Sequence, residues 1–194
     1  MIFQLRLKYL SIDEKWQISM TSVTSKYPEA HLRLATEDTP APVYQSSQGV
    51  DAYLQQVREA TPMQMVEIER QGIAGTFITD LSKRMELPSS RVFAMLRIPP
   101  ATAARKSVPG AVVDGRAGLA ALGMIKLLGI AQDIVQDSTA AEAQGFDTVK
   151  WLGQWIERPQ PALGGRKPAD YLDTPTGVDI VARLLGAIRS GAYL

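Results

Sequence analysis

Residues 116–135 read RAGLAALGMIKLLGIAQDIV. Laid on a 3.6-residue period, their apolar side chains do not keep to one stripe but run nearly all the way round. Such a helix is buried inside a domain or shared between two chains. Gly118 and Gly123 interrupt it, each about 1 kcal/mol less favourable than alanine in a helix interior. They make sense where another helix packs closely. No stretch of the chain alternates polar and apolar residues beyond three or four positions, and no internal repeat is visible. The expected fold is therefore all-α, organised around this segment.

Working outward, helix punctuation recurs on both sides. In TPMQMVEIERQG (61–72), Thr61 is a suitable N-cap, Pro62 fits the first helical position and Gly72 follows the end. AGTFITDLSKRMEL (74–87) repeats Phe77, Ile78, Leu81 and Met85 at helical spacing and stops before Pro88. SSRVFAMLRI (89–98) opens on serines suited to capping, and PPATAARKSVPG (99–110) sets prolines at a first turn and Gly110 after the end. Residues 1–60 read as a poorly structured extension broken by Pro28, Pro40, Pro42 and Gly49, with one short helix possible in GVDAYLQQVREATP (49–62). Beyond it, 61–136 is expected to form a helix-turn-helix and dimerisation domain, and 137–194 a small helical C-terminal domain.

Composition narrows the function. The 194 residues suit one ordinary domain or two small ones, and 45% hydrophobic with 21% charged residues can bury a core. A net charge of +1 gives no global electrostatic case for nucleic acid, so any basic surface must be local. Without cysteine, disulfides, thiolate metal sites and cysteine nucleophiles are excluded. The single histidine, His31, reads as a solvated loop residue and cannot build a histidine-rich metal site. With no convergent carboxylate motif either, little is left for acid–base or nucleophilic catalysis, and an enzyme is not expected. No metal, cofactor or small-molecule substrate is called for. The N-terminus lacks a signal-peptide core and no run of about 18 apolar residues occurs, so a cytoplasmic protein without membrane spans is expected. Met20 precedes a more ordinary N-terminus, and the first nineteen residues read as an upstream mis-assigned start.

One window is locally basic. Between Glu86 and Asp114 there is no acidic residue, while Arg91, Arg97, Arg105 and Lys106 lie inside it. SSRVFAMLRIPPATAARK reads as two short helices joined by a tight turn around Arg97-Ile98, with Val92, Phe93, Leu96 and Ile98 as a small core. Thr102, Arg105 and Lys106 would project from the second helix. A helix-turn-helix needs this layout, because its second helix enters the major groove while cations neutralise phosphates. A solvated face of a protein that never touches DNA fits the same pattern. Pro99 and Pro100 are awkward for base reading, which usually wants polar side chains at the first turn.

The C-terminal region is the most informative. Trp151 and Trp155 share a helical face and read as core anchors. RPQPALGGRKP (158–168) has three prolines and a Gly-Gly pair, so it is a rigid loop. Gly164-Gly165-Arg166-Lys167 lacks P-loop spacing and follows no strand, which favours protein recognition through Leu163 and Arg166 over a phosphate cradle. Thr174 caps the last helix with Pro175 behind it. Val178, Val181, Leu184, Leu185 and Ile188 form its apolar stripe, and Asp179 and Arg183 are spaced for an i,i+4 ion pair of a few tenths of a kcal/mol. Arg189 complements the helix dipole and Gly191 can stop the helix. Ala192, Tyr193 and Leu194 then either fold back onto the domain's own core or form an apolar plug with an anionic tip, shaped for a partner's pocket.

Taken together, LRIPPATAARK, IKLLGIAQDIV, WLGQWIERPQPALGGRKPADYLDTPTG and VARLLGAIRSGAYL resemble the Xre/MbcA/ParS family of type II antitoxins, partners of RES-domain toxins, over roughly residues 72–194. The resemblance implies an all-helical antitoxin that dimerises through its helix-turn-helix region and binds the toxin through its C-terminal domain. RES-type toxins consume NAD, and the antitoxin's end occludes the toxin active site. Carried onto this chain, the occluding group is Arg189, Gly191, Ala192, Tyr193 and Leu194. Leu163, Gly164, Gly165, Arg166 and Arg183 form the surrounding contact. Arg91, Arg97, Thr102, Arg105 and Lys106 become the DNA contacts through which the complex represses its own promoter. The alternative is a stand-alone helix-turn-helix transcription regulator whose C-terminal domain serves only dimerisation.

Overall fold

The computed structural model describes residues 39–138 and 145–189. Among them the helices are α1 (Val50–Arg58), α2 (Pro62–Gln71), α3 (Gly75–Arg84), α4 (Ser89–Met95), α5 (Pro100–Lys106), α6 (Gly115–Gln136), α7 (Thr148–Ile156) and α8 (Pro175–Arg189). Two 3₁₀ turns, Pro161–Leu163 and Pro168–Tyr171, lie between α7 and α8. The fold is all-α. To the helices is added a two-residue antiparallel ladder, β1 (Ile73–Ala74) against β2 (Val112–Val113), with Ile73 opposite Val113. That ladder ties the entry of α3 to the exit of α5, closing the three helices into a loop.

Helix α6 is the axis. Helices α1, α2, α7 and α8 pack on it, and Leu127, Leu128 and Ala131 are fully buried. By length and composition alone α6 would also suit a membrane span, but most of it is buried against its neighbours. The two glycines answer to close approach. A Cβ at Gly123 would lie 2.5 Å from Val178 Cγ2 of α8, so α8 sits directly on that position. At Gly118 the neighbour is not a helix: the Val113 carbonyl oxygen of β2 would be 2.9 Å away.

Residues 40–60 belong to this body, which clusters as Pro40–Leu194. Tyr44, Tyr53 and Phe77 form an edge-to-face triangle with ring centroids 5.0–5.4 Å apart, and Tyr53 and Leu54 are each only 1% exposed. The poorly structured extension expected through residue 60 therefore gives way to packed structure in its last third. Burying such side chains stabilises by about 1.5–3 kcal/mol each. His31, Met20 and the rest of 1–38 lie outside the described residues. The C-terminal module likewise shares one core with what precedes it: Leu152, Ile156, Leu172, Val181 and Leu185 are fully buried in the same cluster as α3 and α6. The described residues of the module, 145–189, thus bury their apolar side chains in the same cluster as the helices before them.

Local signals explain the boundaries. Thr61 accepts from the Gln64 N–H at 3.2 Å while the Gln64 side chain accepts from the Thr61 N–H at 2.8 Å, a full capping box. Ser89 does not cap α4; its hydroxyl meets that of buried Ser82 at 2.8 Å and stitches α3 to α4. Helices α3 and α4 end without glycine. Glu86 and Arg97 each adopt φ 55°, and the following amides reach back to Ser82 O at 2.9 Å and Phe93 O at 3.0 Å. Both are Schellman stops built on charged residues, which tolerate the left-handed region less readily than glycine.

Candidate functional site

Helices α4 and α5 are joined by the tight turn at Arg97-Ile98, and Val92, Phe93, Leu96 and Ile98 are buried between them. Most of the basic side chains on these helices and their turn are engaged by other groups of the chain. Arg91 donates from Nε to Glu157 Oε1 at 2.5 Å and from Nη2 to Oε2 at 3.3 Å. Arg97 Nε donates to Asp173 Oδ2 at 3.2 Å. Lys106 donates to the Val112 carbonyl and lies 3.8 Å from Asp114. Thr102 is half-buried and accepts from Arg105 at 3.5 Å. Arg105 is exposed and makes no ion pair among the described residues. The acid-free window of sequence is therefore largely neutralised in space, by carboxylates 66 and 76 positions away.

Those carboxylates form a seam. Arg84 holds Asp147 at 2.7 Å and Asp51 at 3.1 Å; Lys150 holds Glu86 at 2.7 Å; Lys167 joins Arg91 on Glu157 at 3.0 Å; Lys126 holds Asp179 at 2.8 Å. Burial pushes the Glu157 carboxyl up, but the hydrogen bonds from Arg91 and Lys167 outweigh it and hold it below the ordinary carboxylate range. Asp147 is lowered in the same way, its burial outweighed by the Lys150 N–H and Arg84. Asp179 is lowered by the Lys126 hydrogen bond first. The i,i+4 partner expected for Asp179 is thus displaced: Arg183 acts on it only through space, while Lys126 on α6 makes the ion pair. Local helix spacing loses to a tertiary cation in direct contact.

The 158–168 loop is closed by its own backbone. Gln160 N–H donates to Arg166 O at 3.0 Å, Leu163 N–H and Gly165 N–H both donate to Gln160 O at 3.0 Å, and Gly164 N–H donates to Pro161 O at 2.9 Å. Gly164 and Gly165 take φ 64° and 79°, which makes the reversal possible without strain. Because these amides are all used inside the loop, none is offered to an anion, and the structure argues against a phosphate cradle there. Leu163 is half-buried against the core, while Pro161, Ala162 and Arg166 stand exposed.

Helix α8 begins where expected: the Gly177 N–H donates to Thr174 Oγ1 at 3.1 Å with Pro175 at the first position. Val178, Val181, Leu184 and Leu185 face the core. Thr176, Asp179, Arg183 and Gly186 form an exposed stripe opposite. Trp155 is buried and stacks on half-buried Trp151, centroids 5.8 Å apart, so both serve packing. The Arg189 side chain and Gly191, Ala192, Tyr193 and Leu194 lie outside the described residues. Among the described residues, no group of three or more histidine, aspartate or glutamate side chains is arranged to hold a metal ion.

Sequence reasoning missed Asp147, Glu157, Asp173 and Asp179 as partners of the basic helices. Nothing local marks them; the only available signal was that the module's acids stand in an otherwise apolar, proline-rich stretch. Residues 143–191 match the family model for the antitoxin Xre/MbcA/ParS C-terminal toxin-binding domain. Over 134 residues the chain is 32% identical to the "Prs ADP-ribosylating antitoxin" of Sphingobium sp. (strain YBL2), an alignment covering 69% of this chain and 83% of that relative.

Proposed function

Because the chain belongs to the Xre/MbcA/ParS antitoxin family, a family of toxin-binding proteins rather than enzymes, we propose that it neutralises a RES-domain, NAD-consuming toxin by occluding its active site. The contact is made by the 158–168 loop with Leu163, Gly164, Gly165 and Arg166, and by the exposed stripe of α8 with Arg183. Arg189, Gly191, Ala192, Tyr193 and Leu194 enter the cavity. The observation that carries this reading is the loop itself: a reversal fixed by its own hydrogen bonds presents Arg166 exposed, without an ion pair among the described residues. A surface held rigid before binding loses little conformational entropy on docking. The relative's name gives it an ADP-ribosylating system, which suits a partner that uses NAD.

DNA binding and autorepression, by a homodimer within the toxin–antitoxin complex, form the second half of the proposal. Support is narrower than the sequence suggested. Arg105 is exposed without an ion pair among the described residues, with Thr102 beside it; Arg97 is exposed but paired with Asp173, and Arg91 and Lys106 are engaged by acids or carbonyls. Deleting residues 191–194 tests the occlusion. The shortened chain should still fold and co-purify with the toxin encoded beside it, yet fail to protect cells; full protection refutes occlusion by this segment.

A further inference from the structure

The charges of residues 145–189 are sorted by direction. This stretch has five acids, Asp147, Glu157, Asp170, Asp173 and Asp179. Four of them are bound by cations of the preceding helices and their connecting turns: Arg84, Arg91, Arg97 and Lys126. The fifth, Asp170, accepts from the Lys167 N–H at 3.4 Å. Two of the module's cations are likewise consumed, Lys150 on Glu86 and Lys167 on Glu157. Arg158, Arg166 and Arg183 are left exposed, without an ion pair among the described residues. Four of the five acids are thus paired with cations of the preceding helices and turns, Asp179 at the surface beside Arg183 and Asp170 exposed, while three arginines stand exposed without an ion pair among the described residues.

From this we infer that the module docks on a rim of carboxylates in its partner, with Arg158 and Arg166 as the principal contacts and Arg183 as a third. The inference rests on the toxin-binding reading and adds Arg158 and the chemistry of the opposing surface. The bridge between Gln160 and Arg166 sets the two sides of the loop next to each other, with Arg158 two residues before it on the incoming side. Between them the loop tip offers Pro161 and Ala162 to solvent, with Leu163 half-buried beneath. Arginine beside a small apolar tip is the composition of a protein interface. A nucleic-acid surface instead repeats cations along a helix or groove. Paired with carboxylates, such arginines steer encounter and fix orientation more than they add affinity.

The test is the association rate of the full chain with the full-length protein encoded by the adjoining gene, followed at roughly 0.05 M and 0.5 M salt, which spans the range over which surface charges become screened. The double substitution Arg158→Glu with Arg166→Glu should slow association at low salt by about tenfold and flatten its salt dependence. Arg116→Glu, the same kind of charge change at an exposed position in the first turn of α6, should leave the rate unchanged. Arg158→Gln with Arg166→Gln, with an unaltered thermal transition, separates lost charge from lost fold and should give an intermediate rate. If the complex forms and the reversed variants associate at the wild-type rate, the acidic rim is refuted while toxin binding stands. If the reversals instead weaken binding to duplex DNA and spare the toxin, the arginines belong to phosphate contact and the inference is overturned. If wild type forms no complex, the toxin-binding reading and the inference fall together.

Discussion

Glu157 sits where two cations from different parts of the chain converge, and a double-mutant cycle on it separates structure from DNA recognition. Arg91 grips both carboxylate oxygens, at 2.5 and 3.3 Å, and Lys167 shares one of them at 3.0 Å. The side chains of Arg91 and Glu157 are 37% and 21% exposed. That exposure places the pair between surface ion pairs, worth about 0–1 kcal/mol, and buried ones, whose breakage costs about 3–5 kcal/mol. Discounted for solvent screening, Glu157→Ala and Arg91→Ala should each lower stability by about 1–2 kcal/mol, with a coupling of about 1 kcal/mol between them. Urea denaturation of wild type, the two single variants and the double variant measures this. The coupling should be fully present above the ordinary glutamate value of 4.5 and be lost as pH falls from there through the depressed folded value, since the unfolded chain takes up the proton first. On duplex DNA, Arg91→Ala should leave the salt dependence of binding unchanged, whereas Arg105→Ala should reduce the slope by about one. A coupling of only a few tenths of a kcal/mol, with a slope reduced by Arg91→Ala, would refute the assignment of Arg91 to the seam and return it to the phosphate backbone.

Two further outcomes follow from packing and burial. A Cβ at Gly177 would lie 1.9 Å from the Tyr171 carbonyl oxygen, a backbone atom that cannot step aside. Gly177→Ala should therefore destabilise by about 3 kcal/mol or more, while Gly186→Ala, with no atom within 4 Å, should gain up to about 1 kcal/mol from helix propensity; comparing their thermal transitions checks both. Burial pushes Tyr53 from 10.0 to about 12, and burial followed by the Asp80 carboxylate does the same to Tyr44. The folded value lies above the unfolded one, so stability is intact below pH 10 and falls between about pH 10 and 12, by up to about 3 kcal/mol for Tyr53. Denaturation midpoints of wild type and Tyr53→Phe on either side of pH 10 should diverge only on the alkaline side.

Much of the fold was legible because it is written in local chemistry. Thr61 and Gln64 mark a helix start, Gly123 asks for a close neighbour and gets Val178, and Phe77, Ile78, Leu81 and Met85 keep their period into the core. The turn at Arg97 was legible from Leu96 and Pro99, although its left-handed conformation on an arginine was not. What could not be read was electrostatic. A window without acids looks basic along the chain, but charge acts through space, and Glu157 and Asp173 return to it across two intervening helices. The Asp179–Arg183 spacing failed for the same reason, with Lys126 nearer than the helical neighbour. The 158–168 loop was legible as rigid from its prolines and glycines. That the amides of Gln160, Leu163, Gly164, Gly165 and Arg166 close upon the loop itself is a matter of backbone geometry, which composition does not encode.

The common core shared by α6, α7 and α8 bears on how this antitoxin is removed. With Gly123 seated on Val178, and α7 and α8 burying their apolar faces against the earlier helices, no smaller piece retains a covered interior if either end is drawn away. A cellular protease that captures one opened segment meets no stable stopping point. The helices before α6 and the toxin-binding segment after it should therefore be lost in a single event, and turnover would release the toxin whole rather than leave a residual inhibitory fragment.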